Sequence, residues 1–159
     1  MLRLVSLAVA VVLTCASSVV AQSVRVTGPD GGSTTLTGEV WANLPRETVE
    51  LTVHDQIHRY SGPTLASVLG TVDAPLGLAL RGPALKSYVL VRAADDYQVV
   101  FSLAELDPAM RASTVILADR DDGQPLTEND GPLRLVVQGD ARPARSVRQV
   151  TSIELRRAD

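Results

Sequence analysis

The chain's one cysteine, Cys15, sits in a stretch that reads as a leader, so whatever folds must do so without a disulfide. Arg3 supplies a positive start, Leu4 to Leu13 an almost unbroken apolar run, and Val19-Val20-Ala21 a small-residue cleavage site. Residues 1–21 are therefore expected to be a signal peptide, and residues 22–159 a single periplasmic or secreted domain. A lipid anchor on Cys15 would want Gly or Ala before it, where Thr14 stands. The apolar run is short for a membrane span, and no second run of about 20 apolar residues follows.

The remaining 138 residues suffice for one hydrophobic core. Removing the leader takes away one arginine and no acid, leaving a net charge near −4. A mildly acidic chain with five aromatic side chains has neither the basic face nor the stacking surface of a nucleic-acid binder. Apart from Lys86, every basic side chain is an arginine, the residue suited to forked contacts with anions. Charge is uneven along the chain. Asp119, Asp121, Asp122, Glu128 and Asp130 form an acidic region, and Arg134, Arg142, Arg145, Arg148, Arg156 and Arg157 follow it.

Local patterns predict many short strands and few short helices. Val24 to Val26 is a strand leading into the turn Gly28-Pro29-Asp30-Gly31-Gly32. Val49, Leu51 and Val53 alternate with polar residues as a half-buried strand does, and Gln56 to Tyr60 is its hairpin partner, stopped by Gly62-Pro63. Thr64 caps a helix carrying Leu65, Val68 and Leu69. Tyr88–Ala93 and Tyr97–Ser102 form a second hairpin through Ala94-Asp95-Asp96. Ser102 and Glu105 have capping-box spacing for a helix over Leu103 to Leu106, ended by Asp107-Pro108. Val115 to Ala118 and Leu133 to Val137 are apolar strands, and Asp121-Asp122-Gly123 is a turn. Ile153 and Leu155 alternate in a closing strand over Thr151 to Arg156. The sum is an α+β, β-dominated domain.

Three constellations carry chemistry. His54 and His58 stand four apart, but the preceding alternation places them at a strand end, where a zinc-protease helix cannot form. The run Asp119-Arg120-Asp121-Asp122-Gly123 has its glycine fifth, where a calcium loop has it sixth, and a tight turn accounts for it. Arg142, Arg145 and Arg148 flank Pro143 on a loop and make a candidate anion site through forked, charge-assisted hydrogen bonds. The competing reading pairs them with the acidic region.

Several segments, in order, resemble the molybdopterin-binding domain of the sulfite oxidase family. They are Arg59-Tyr60-Ser61-Gly62-Pro63-Thr64-Leu65 running to Leu69, Asp95-Asp96-Tyr97 running to Leu103, Ile116 to Leu126, Gly131-Pro132-Leu133-Arg134-Leu135-Val136-Val137, and Arg145 to Leu155. The resemblance covers about two thirds of the chain. It implies a sulfite-oxidase-like fold with short helices packed on mixed strands, and molybdopterin as the cofactor to consider. It also implies that the region of Arg142, Arg145 and Arg148 faces the anionic end of that cofactor. In the enzymes of the family, the strand before the Gly-x-x-Leu segment ends at the cysteine that ligates molybdenum. Here that stretch reads Leu51-Thr52-Val53-His54-Asp55-Gln56. Imidazole does not replace a soft thiolate without changing the metal chemistry. The plain reading of His54 and His58 is two surface histidines of a hairpin, and the resemblance leaves His54 as the candidate to face the cofactor crevice. The chain is most similar to the small secreted members of the family. It is expected to be a non-redox binding or accessory module for an anionic small ligand or a periplasmic protein partner, with no cofactor needed. The alternative is a periplasmic molybdopterin-dependent oxidoreductase with an atypical metal shell.

Overall fold

The computed structural model describes residues 22–53 and 55–159. The expected signal peptide with Cys15, and the candidate ligand His54, lie outside the described residues. In chain order the elements begin with β1 (Val24–Thr27), β2 (Ser33–Leu36), α1 (Gly38–Ala42), β3 (Arg46–Val53), β4 (Gln56–Pro63) and α2 (Leu65–Gly70). They continue with β5 (Ser87–Ala93), β6 (Gln98–Ser102), α3 (Leu103–Leu106), β7 (Val115–Ala118), β8 (Arg120–Asp121), β9 (Gln124–Pro125), β10 (Arg134–Val137) and β11 (Val150–Arg157). Among the described residues no helix is long and apolar enough to cross a membrane.

The two apolar runs without alternation form the middle of the molecule. Strands β7 and β10 pair antiparallel, Arg134 with Ala118 and Val137 with Val115, and every residue of both is buried. A strand points successive side chains to opposite faces. Val115, Leu117, Leu135 and Val137 enter the larger core, while Ile116, Ala118 and Val136 enter a smaller one with Val49, Leu51 and Tyr60. The larger core is closed by a five-stranded sheet in the order β2-β1-β11-β5-β6, parallel only at β1 with β11. The smaller one is closed by an antiparallel sheet in the order β3-β4-β8-β9. This is the mixed, β-dominated architecture expected from the sequence.

The caps are as the local chemistry dictates. Thr64 Oγ1 accepts the Ser67 N–H at 3.1 Å and starts α2. Ser102 and Glu105 satisfy each other's backbone donors at the start of α3. The Asp122-Gly123 pair, at φ 48° and 80°, makes the tight turn from β8 to β9.

One expectation fails at Gly62-Pro63, which does not stop the strand. β4 runs through both residues, paired with Glu47 and Arg46. Glycine serves here as a crossing point: a Cβ at Gly62 would lie 2.2 Å from the Leu117 carbonyl oxygen. Strand β2 and helix α1 are additions. α1 is held by distant partners, since Trp41 Nε1 donates to Asp119 at 2.8 Å and Arg46 forks onto the same carboxylate.

Candidate functional site

A crevice of about 650 Å³ opens where three segments meet. That volume falls within the range of small-molecule sites. Thr52 and Val53, ending β3, form one wall, and Asp95 and Tyr97 of the β5–β6 hairpin form another. The third is the loop from Pro143 to Gln149, with Arg134 at the base of β10. The loop is pinned to β10 by Leu135 N–H to the Val147 carbonyl at 2.8 Å and by Val137 N–H to Ser146 Oγ at 3.2 Å. Tyr97 closes the seam by donating its hydroxyl to the Ala144 carbonyl at 2.9 Å. A second cleft, of about 430 Å³ beside Pro29 and Asp73, has no basic side chain in its lining.

Arg134 is the residue that sequence reasoning passed over. Alternation along β10 turns it to the same side as Val136, onto the Tyr60 ring at 4.8 Å from its centroid. Its Nη1 donates to Tyr60 Oη at 3.0 Å and to Asp130 Oδ1 at 2.9 Å. The residue is 6% exposed, and its buried Nε has no hydrogen-bond partner among the described residues. Buried donors are nearly always satisfied, so an unpaired one in a crevice-lining residue calls for an explanation. Burial is the main reason the Tyr60 phenol is held above its ordinary value. Arg134 pulls it back, and Asp121 and Asp130 add to the rise. The signal in the sequence was an arginine inside the apolar run Leu133-Arg134-Leu135-Val136.

The three loop arginines do not converge. Arg148 lines the crevice, with Nε 3.6 Å from Asp130 and most of its side chain exposed. Arg145 forks onto Asp140 at 2.9 and 2.7 Å, donates to Glu105 at 2.7 Å and stacks on Phe101. Those hydrogen bonds hold the Asp140 carboxyl below its usual range against the opposing effect of burial. Arg142 is exposed at the start of the Pro143–Arg145 turn. The crevice therefore presents Arg134 and Arg148, which share Asp130, and one rim carboxylate, Asp95, which accepts the Tyr97 N–H.

The profile of the oxidoreductase molybdopterin-binding domain matches residues 3–159. The chain belongs to this family. Among solved structures, the sulfane dehydrogenase SoxCD from Paracoccus pantotrophus has a similar fold, with a TM-score of 0.59 and 17% identity over 84% of this chain. The match spans 38% of that protein's length. No curated protein matches the sequence.

The crevice fits one part of the family's cofactor and not another. Arg134, with its unspent Nε, and Arg148 suit an anionic group. Molybdenum in the sulfite oxidase enzymes takes a thiolate, and residues 22–159 contain no cysteine. At the end of β3, Thr52 and Val53 bring a hydroxyl and methyl groups to the crevice, where a soft metal would want sulfur.

Proposed function

We propose that this member of the molybdopterin-binding domain family is an exported binding module that takes an anionic small ligand in the Arg134–Arg148 crevice and carries out no redox chemistry. The observation that carries the reading is the buried guanidinium of Arg134, a residue that lines the crevice and whose Nε has no hydrogen-bond partner among the described residues. A phosphate or pyrophosphate group, free or on a pterin, would complete that donor and draw on Arg148 as a second charge. The absence of cysteine from residues 22–159 supports the non-redox half of the proposal. The apolar wall at Val53 and Val147 suits a flat, partly apolar ligand body.

Two measurements test it. The first is elemental and pterin analysis of protein made in a cofactor-competent host. Near-equimolar molybdenum that survives dialysis would replace this reading with a molybdopterin-dependent oxidoreductase of unusual metal shell. The second is titration with pyrophosphate and a pterin phosphate, followed by calorimetry. Loss of a charged hydrogen bond costs about 1.5–3 kcal/mol, or roughly tenfold and upward in affinity. Arg148→Met and Arg134→Lys should each show that loss, while Arg142→Met should not. Equal binding by all four proteins, or binding by none, sinks the anion site and leaves protein partnership as the better account.

A further inference from the structure

Beside Tyr60, strand register joins two motifs that the sequence keeps 63 residues apart. Pairing of Tyr60 with Asp121 and of Ser61 with Arg120 lays the β8–β9 turn along β4. That brings His58, whose ring stacks on Tyr60 at 5.7 Å, against the acidic turn. His58 Nδ1 lies 2.8 Å from Asp121 Oδ2. One ligand atom each from His58, Asp121 and Asp122 falls within 4.8 Å of the other two.

Two further observations show that, among the described residues, no arginine or lysine side chain meets the acids of this cluster. The second oxygen of Asp121, Oδ1, is buried and has no hydrogen-bond partner among the described residues. A buried acceptor left unpaired is costly. The arginines next in sequence, which could have neutralised the pair, are turned elsewhere. Arg59 Nε donates to Glu50 at 3.0 Å, and Arg120 Nη1 to the Gly123 carbonyl at 3.3 Å. Asp122 takes only a backbone contact, the Arg59 N–H at 3.3 Å.

We propose that His58, Asp121 and Asp122 bind a single divalent cation of the zinc class. One imidazole and two carboxylates form a borderline donor set, which favours zinc over the all-oxygen shells of calcium and magnesium. Three protein ligands leave a fourth position to water. Ligands about 2.0–2.1 Å from a tetrahedral centre stand roughly 3.3 Å apart, so the His58–Asp121 contact opens by about half an ångström to admit the ion. The ion draws on the Asp121 carboxylate, whose Oδ1 is otherwise unpaired, and clamps the β8–β9 turn to β4. The site uses no residue of the Arg134 crevice and stands whether or not an anion binds there.

The chain has two histidines, His54 and His58, which makes the test discriminating. Tag-free protein is dialysed to equilibrium against zinc, and bound metal is measured by elemental analysis. A parallel titration with cobalt reads coordination from the visible d–d bands. The expected result is one zinc per chain, a tetrahedral cobalt spectrum, and no comparable binding of magnesium. His58→Phe keeps the stack on Tyr60 and removes the nitrogen ligand. Asp121→Asn and Asp122→Asn each remove a charge at constant size. Each should weaken zinc by about a hundredfold or more, beyond the 10–100-fold cost of losing an outer-shell partner. His54→Gln should bind as wild type. Urea midpoints without metal identify any variant that fails to fold, and the other two then decide. No zinc binding, binding lost in His54→Gln but kept in His58→Phe, or equal binding in all variants would each overturn the site.

Discussion

Replacing Gly62 by alanine should nearly unfold the protein, although it adds only one methyl group. Gly62 is where β4 crosses β7, and the new Cβ would stand 2.2 Å from Leu117 O, 2.6 Å from Ala118 Cα and 2.7 Å from Leu117 C. All three are backbone atoms, so no side chain can swing away. Ordinary contact begins near 3.4 Å, and relief requires the two strands to part by about 1 Å. A gap of that size forfeits a quarter to a half of the dispersion attraction across it. Six buried side chains pack there: Val49, Leu51, Tyr60, Ile116, Ala118 and Val136. With full burial worth about 1.5–3 kcal/mol for a large apolar side chain, losing a quarter of their packing costs about 2–4 kcal/mol. The Asp119 N–H to Ser61 carbonyl bond and the Thr64–Ile116 bridge would stretch as well, adding about 1–2 kcal/mol. A loss of about 3–6 kcal/mol consumes much of a typical domain's stability of about 5–15 kcal/mol. Urea unfolding followed by fluorescence of Trp41, the chain's only tryptophan and buried at 4% exposure, measures it. Gly70→Ala is the control. No atom lies within 4 Å of its Cβ at the end of α2, and it should be neutral or more stable by up to about 1 kcal/mol. A Gly62→Ala midpoint within about 1 kcal/mol of wild type, or equal losses in both variants, would refute the crossing-point account.

Arg134→Met should cost stability as well as ligand affinity. Asp130 is partly exposed and can rehydrate, so the expected loss is about 2–3 kcal/mol, below the 3–5 typical of a wholly buried pair. An unchanged urea midpoint would show that the Tyr60 stack and the Asp130 pair contribute nothing. Ser102→Ala removes half the capping box of α3 and should cost about 0.5–1 kcal/mol, with Glu105→Gln tolerated better than Glu105→Ala. For Asp140, the folded pKa is depressed below 3.8 by Arg145. Its contribution to stability is therefore present above that value and is lost as pH falls through the depressed one. The stability difference between wild type and Arg145→Met, which keeps an apolar stem over Phe101, should narrow as pH falls below about 4. A difference that stays constant down to pH 2.5 would place the value of Arg145 in packing.

What was legible in the sequence is what short-range chemistry decides. Thr64 and Ser102 cap helices because their oxygens reach donors two or three residues away, whatever the rest of the chain does. The β5–β6 hairpin follows from two β-rich runs and a polar turn. The apolar runs at 115–118 and 133–137, the second broken only by Arg134, announced strands, and every residue of β7 and β10 is buried. Partner choice was not legible, because it is settled by distance in space. Helix α1 depends on Trp41 reaching Asp119, 78 residues on, and nothing near Trp41 signals that bond. Arg142, Arg145 and Arg148 look like a cluster along the chain, yet the charge of Arg145 is spent on a fork to Asp140, five residues back, and on Glu105, 40 residues back, which holds α3 to the loop. The same long-range pairing made the two sites that local reading missed. The pairing of β10 with β7 turned Arg134 onto Tyr60, and the register of β8 on β4 turned Asp121 onto His58. Both sites touch Tyr60: Arg134 lies over its ring and His58 stacks on it. A chain this rich in arginine leaves an unpaired buried donor in the crevice wall and an unpaired buried acceptor beside His58. Neighbouring arginines could have met the acceptor but not the donor, which needs an acceptor of its own; an anion at Arg134 and a cation at Asp121 would each supply what is lacking.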